Sequence, residues 1–79
     1  MIYINEKGKK LVSELMIGKE PEVVKNPYSG RSCKLEPVAV ALYDYIKGCE
    51  RLGMFGEDFE LALMIFRFNW SDEYYILLD

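Results

Sequence analysis

Glu22-Val23-Val24-Lys25-Asn26-Pro27-Tyr28-Ser29-Gly30-Arg31-Ser32-Cys33-Lys34-Leu35-Glu36-Pro37 is the stretch whose reading decides the fold. Its first and last thirds are short runs with β-branched or alternating side chains, and its middle is turn chemistry. Asn26 can bond the backbone ahead of it, Pro27 presets φ, and Gly30 supplies a left-handed residue that returns the chain. Two strands joined by a four- or five-residue loop follow, an antiparallel β-hairpin. A phosphate-binding glycine loop would need a helix to start just after Gly30, and a strand starts there instead. Glu36-Pro37 then opens a helix, because proline at the first helical position gives up no hydrogen bond and is already bent correctly. A hairpin followed at once by helices makes the chain α+β.

Downstream of Pro37, Val38, Leu42, Tyr45, Cys49 and Leu52 recur at helical spacing, widened by Ala39, Ala41 and Ile46. This predicts a buried stripe, with Asp44, Lys47, Glu50 and Arg51 on the wet side and Val40 and Tyr43 left over there. Gly48 inside this helix marks close packing or a weak last turn. Gly53-Met54-Phe55-Gly56 ends the element. Glu57 and Asp58 start another helix, running to about Asn69. It carries two apolar stripes: Phe59, Leu63, Phe66 and Trp70, and nearly opposite them Leu61, Met64, Ile65 and Phe68. Only Glu60 and Arg67 share a polar edge. A helix apolar on two sides is either central to the fold or shared with a partner. Ser71-Asp72-Glu73 is expected to cap a last short helix, Tyr74 to Leu78.

Upstream of the hairpin, Met1 to Ile4 reads as a short strand. Asn5 is a good N-cap for a helix from Glu6 to Ile17, with Leu11, Val12, Leu15 and Met16 on its apolar side and Gly18 as its stop. Gly8 weakens that helix, and a hairpin turning at Lys7-Gly8 is the competing reading. The expected whole is one globular domain, residues 1–79, in which a short N-terminal strand and the hairpin pack against three to four helices.

Composition limits what such a domain does. The chain has 79 residues, no histidine and two cysteines. Histidine-based acid–base catalysis and imidazole metal ligation are therefore out of reach. Cys33 and Cys49 are neither a disulfide scaffold nor a zinc site, and they read as small buried hydrophobes in a reducing cytoplasm. Ser13, Ser29, Ser32 and Ser71 have no base to activate them. Glu57 and Glu60 share a helix side, but no ion-binding loop accompanies them, so they read as a solvated helix start. No lysine stands out as a nucleophile. The expectation is a non-enzymatic protein with no catalytic residue, no metal and no cofactor. No apolar run approaches the roughly 20 residues that span a bilayer, and Met1 to Ile4 is too short for a signal-peptide core.

From Asn26 onward the chain also resembles small uncharacterised proteins encoded by bacteriophages. The resemblance lies in Asn26 to Gly30, Leu35-Glu36-Pro37, Ala39 to Gly48, Phe66 to Trp70 and Tyr74 to Asp79. It implies a phage accessory protein acting in the bacterial cytoplasm, and it carries no activity and no site residues.

Contact with another macromolecule remains. Phe55, Phe59, Phe66, Phe68, Trp70, Tyr74 and Tyr75 crowd the last third of the chain, and such residues favour the centres of protein interfaces. Leu61, Met64, Ile65, Phe68, Tyr74 and Tyr75 are the candidate partner-binding residues, for a homodimer or for a modulated host protein, defence proteins included. The alternative is a nucleic-acid-associated protein. Residues 1–35 carry seven basic and four acidic groups, a balance of +3, whereas residues 36–79 carry three basic and nine acidic, −6. Lys7, Lys9, Lys10, Lys25, Arg31 and Lys34, with Tyr28 to stack on a base, would make that surface. The acidic second half opposes it.

Overall fold

The computed structural model describes residues 4–78, and the chain order is α1 (Glu6–Ser13), β1 (Glu22–Lys25), β2 (Ser32–Leu35), α2 (Pro37–Leu52), α3 (Glu57–Asn69) and α4 (Ser71–Leu77). This is an α+β arrangement, with four helices and one antiparallel hairpin among the described residues. Of the strand expected at Met1–Ile4, only Ile4 lies within the described residues, and it is not in a strand.

The hairpin pairs Glu22 with Leu35, Val23 with Lys34, Val24 with Cys33 and Lys25 with Ser32. Its turn works as its residue types require. The Asn26 carboxamide oxygen accepts the Tyr28 N–H at 2.8 Å, and Gly30, at φ 77°, donates to the Asn26 carbonyl at 2.9 Å. The Asn26 side-chain amide then donates to the Ile76 carbonyl at 2.9 Å, which pins the turn to α4.

Pro37 opens α2, and Gly53 closes it at φ 69°. Gly53 donates to the Glu50 carbonyl at 3.3 Å and Met54 to the Cys49 carbonyl at 2.9 Å. This 5→2 and 6→1 pair is the Schellman termination, which needs a left-handed residue where Gly53 stands. Burial along α2 differs from the expected stripe at two places. Val40 is buried although periodicity put it on the wet side, and Leu52 is 74% exposed although periodicity put it in the core. α2 packs on β2 as well as on α3, so its buried arc is wider at the start. Leu52, in its last turn, reaches the exposed Gly53–Gly56 loop.

At the other end of the chain α1 is shorter than expected. Asn5 does cap it, accepting the Gly8 N–H at 2.8 Å. It stops at Ser13 rather than Ile17. The Ser13 hydroxyl donates to the Lys10 carbonyl at 2.6 Å, and Glu14 and Leu15 bond three residues back rather than four. A serine competing for backbone partners and a tightened last turn end the helix. Met16, expected on the apolar side, is 96% exposed. α4 starts earlier than expected: Ser71 is its first residue rather than its cap. Trp70, buried, is the single residue joining α3 to α4, receiving no capping side chain.

α3 lies at the centre, packed on α1, α2 and α4. Phe66, Leu35, Leu42 and Ile46 are the largest fully buried side chains. Burying a side chain of that size contributes roughly 1.5–3 kcal/mol each, which a chain this short needs, since it covers only roughly 60% of its unfolded surface.

Candidate protein-contact surface

α3 sorts its two apolar stripes by what surrounds it. Phe59, Phe66 and Trp70 of the first stripe are buried and Leu63 is half-buried. The second stripe splits. Ile65 is core, 3% exposed, and its Cδ1 lies 2.8 Å from where a β-carbon on Gly8 would stand. Ile65 therefore leaves the candidate contact set, because α1 covers it. Leu61 is half-buried and faces a shallow cleft with Lys7, Lys10, Leu11, Glu14, Glu57 and Asp58. Met64 and Phe68 stay at the surface, 51% and 66% exposed.

Met64 and Phe68 do not stand alone. With Leu63, Glu60, Arg67 and Tyr74 they line a groove of about 490 Å³ along the outer side of α3, closed at one flank by α4. The Arg67 guanidinium sits 5.7 Å from the centre of the Tyr74 ring. Tyr75, itself 57% exposed, meets Tyr74 edge to face at 5.6 Å. Four of the six expected contact residues (Met64, Phe68, Tyr74, Tyr75) are thus gathered at one place, while Leu61 and Ile65 turn toward α1. Periodicity missed Leu63, Glu60 and Arg67 as members of the groove. Their signal was present, since Glu60 and Arg67 are seven residues apart and so share one helix edge.

The basic residues are less well gathered. Lys7 pairs with Glu57 at 3.2 Å and Lys9 with Glu6 at 3.6 Å, all on exposed side chains, pairs that contribute little to stability but do offset the positive charge. Lys10 lines the same cleft as Glu14 and Asp58. Lys25, Arg31 and Lys34 are exposed on the hairpin with Tyr28 at its tip. There α2 contributes Lys47 and Arg51, which line a cleft with Pro27, Tyr28, Tyr43 and Glu50. Lys47 is also engaged, 3.2 Å from Glu50 and 5.9 Å from the Tyr43 ring centre.

Cys33 sits in a setting that disfavours its thiolate. Burial raises the Cys33 thiol pKa above its ordinary value and the Glu73 carboxylate raises it further, against an opposing pull from Arg31. Cys49 is buried, and burial together with a hydrogen bond to the Cys49 thiol pushes the Tyr45 phenol up. Among the described residues no three acidic or cysteine side chains converge to hold a metal ion, and no helix is long and apolar enough to cross a membrane. Set against known proteins, the chain matches no family model, no curated protein and no solved structure.

Proposed function

We propose that this protein is a non-enzymatic module that works by binding protein, either a second copy of itself or a protein of the cell in which it acts, through the outer side of α3 and the adjoining α4. The observation that carries the proposal is the groove lined together by the apolar Met64, Leu63, Phe68 and Tyr74 and the charged Glu60 and Arg67. Apolar and aromatic side chains joined by an arginine are what protein interfaces favour. Methionine suits such a role, because its unbranched side chain adapts to the surface it meets.

The test is Met64→Asp. A charge among these apolar side chains abolishes association, read by size-exclusion chromatography with light scattering and by capture through a photo-crosslinker placed at position 64. The circular dichroism spectrum stays native, since the side chain is already half in water. A wild-type chain that is strictly monomeric and crosslinks to nothing sinks the proposal, as does association that Met64→Asp leaves intact.

A second reading has one observation in its favour. α2 brings Lys47 and Arg51 beside Tyr28, adding basic groups to Lys25, Arg31 and Lys34 of the hairpin. That reading requires binding of a single-stranded oligonucleotide that falls with salt and weakens on replacing Arg31 and Lys34 by alanine. No binding at low salt removes it.

A further inference from the structure

We infer that the partner at this groove is a second copy of the chain, held through α3 antiparallel to its own counterpart about a two-fold axis, with Glu60 of each copy facing Arg67 of the other. The inference rests on the contact reading above and adds the occupant and its orientation.

The spacing of the two charges supports this arrangement. Glu60 and Arg67 are seven residues apart, two helical turns, so they stand on one edge of α3 about 10.5 Å apart along its axis. Leu63 and Met64 straddle the midpoint between them. A two-fold axis perpendicular to α3 and passing through that midpoint turns the helix end for end and keeps the same edge at the same side of the interface. Glu60 then lies opposite Arg67 of the partner subunit, and Arg67 opposite Glu60 of the partner subunit. The same patch serves both copies, as an isologous contact requires. Met64 packs against Leu63 and Met64 of the second copy, at the most enclosed place in the contact. Glu60 and Arg67 lie on the midline of the outward arc, between Leu63 and Met64, so a parallel pairing would set carboxylate against carboxylate and guanidinium against guanidinium, and the charges select the antiparallel form.

Glu60 and Arg67 are both exposed. The ion pairs among the described residues engage Lys7, Lys9 and Lys47 with Glu57, Glu6 and Glu50, and neither Glu60 nor Arg67 takes part in one. Arg67 is held at the groove by the face of Tyr74 at 5.7 Å, which leaves its fork of donors for a carboxylate.

The experiment is sedimentation equilibrium on the full chain at low ionic strength, for wild type, Glu60→Arg, Arg67→Glu and the double exchange Glu60→Arg/Arg67→Glu. Each single reversal creates two like-charge contacts per dimer by symmetry, and the dimer Kd rises about ten-fold or more. The double exchange restores the opposition of charges and returns Kd to near the wild-type value. Folding does not mimic this pattern. Glu60 lies in the first turn of α3 and Arg67 in the last, where their present signs favour the helix. The double exchange is therefore the least stable protomer by thermal melting and yet a better dimer than either single variant. A wild-type dimer that the double exchange fails to restore overturns the antiparallel pairing while leaving the contact reading in place. A wild-type chain that stays monomeric, while crosslinking through position 64 to another protein, also overturns the dimer and keeps the contact reading. A monomer that crosslinks to nothing ends both.

Discussion

Phe66 and Phe68 are two residues apart on the same helix, yet one is fully buried and the other 66% exposed. Two positions turn an α-helix by about 200°, so the pair points to opposite sides of α3. On the inner side, Phe59, Ala62, Ile65 and Phe66 are closed in by the packing of α3 on α1, α2 and α4. On the outer side, Met64 and Phe68 share the surface with Glu60 and Arg67. The two sides are made of similar side chains, so hydrophobicity alone does not distinguish them. What does is the number of neighbours the rest of the chain has left to give. Among the described residues, α1, α2 and α4 pack on the inner side of α3, and Met64, Glu60 and Arg67 on its outer side remain exposed.

The largest test of that contrast is a truncation on each side. Phe66→Ala removes a fully buried ring and leaves a cavity, at a cost of about 3–5 kcal/mol. Total stability for this length is roughly 4–12 kcal/mol, so the variant is close to unfolded in mild urea. Met64→Ala, measured at concentrations too low for association, changes stability by less than about 0.5 kcal/mol. A cost at Met64 that approaches the one at Phe66 would mean that the outer side is covered after all.

How far the sequence revealed this division differs from element to element. The hairpin, the start and stop of α2 and the span of α3 were legible, because Asn26, Gly30, Pro37, Gly53 and the Glu57-Asp58 pair each have a local physical reason to stand where they do. The end of α1 was not, since Met16 and Ile17 continue an apolar pattern that Ser13 interrupts by bonding its own helix. Nor was the choice between α3's two stripes. Periodicity gives relative angles around a helix, but which angle is covered depends on where α1 docks. Ile65 and Met64 are neighbours in one stripe, and only the approach of α1 through Gly8 sends the first inward. The groove was half legible: its aromatics were visible as a cluster, while Glu60 and Arg67 looked like an ordinary polar edge.

Gly8 is accordingly the place to break the inner contact next. A β-carbon there would lie 2.6 Å from Ile4 Cγ1 and 2.8 Å from Ile65 Cδ1, whereas at Gly48, in α2, it would meet nothing within 4 Å. Of the two readings of Gly48, close packing or a weak last turn, close packing is not met there and is found at Gly8. Alanine favours a helix over glycine by about 1 kcal/mol at either place. At Gly48 that gain stands, and Gly48→Ala stabilises by about 0.5–1 kcal/mol. At Gly8 the overpacking costs about 1–3 kcal/mol and outweighs it. Thermal melts of the two variants should move in opposite directions. A higher melting temperature for Gly8→Ala would show that α1 can re-seat on α3 without loss.

The smallest effect concerns the hairpin, which repeats the inside–outside contrast on a single strand: in β2, Cys33 is half-buried and Lys34 exposed. Burial and the Glu73 carboxylate raise the Cys33 thiol pKa, and Arg31 pulls it back. The neutral thiol is thus the form that the fold prefers. Its contribution to stability is present below the unfolded thiol's pKa and is lost as pH rises through the higher folded value. Alkylation of Cys33 by iodoacetamide, followed against pH, should show a midpoint above that of the same cysteine in the denatured chain. Glu73→Gln lowers the midpoint and Arg31→Gln raises it, with burial keeping both variants from matching the denatured thiol. A midpoint indifferent to Glu73 would mean that α4 does not hold its carboxylate against β2, and the seam pinned by Asn26 and Ile76 would then be looser than its 2.9 Å hydrogen bond implies.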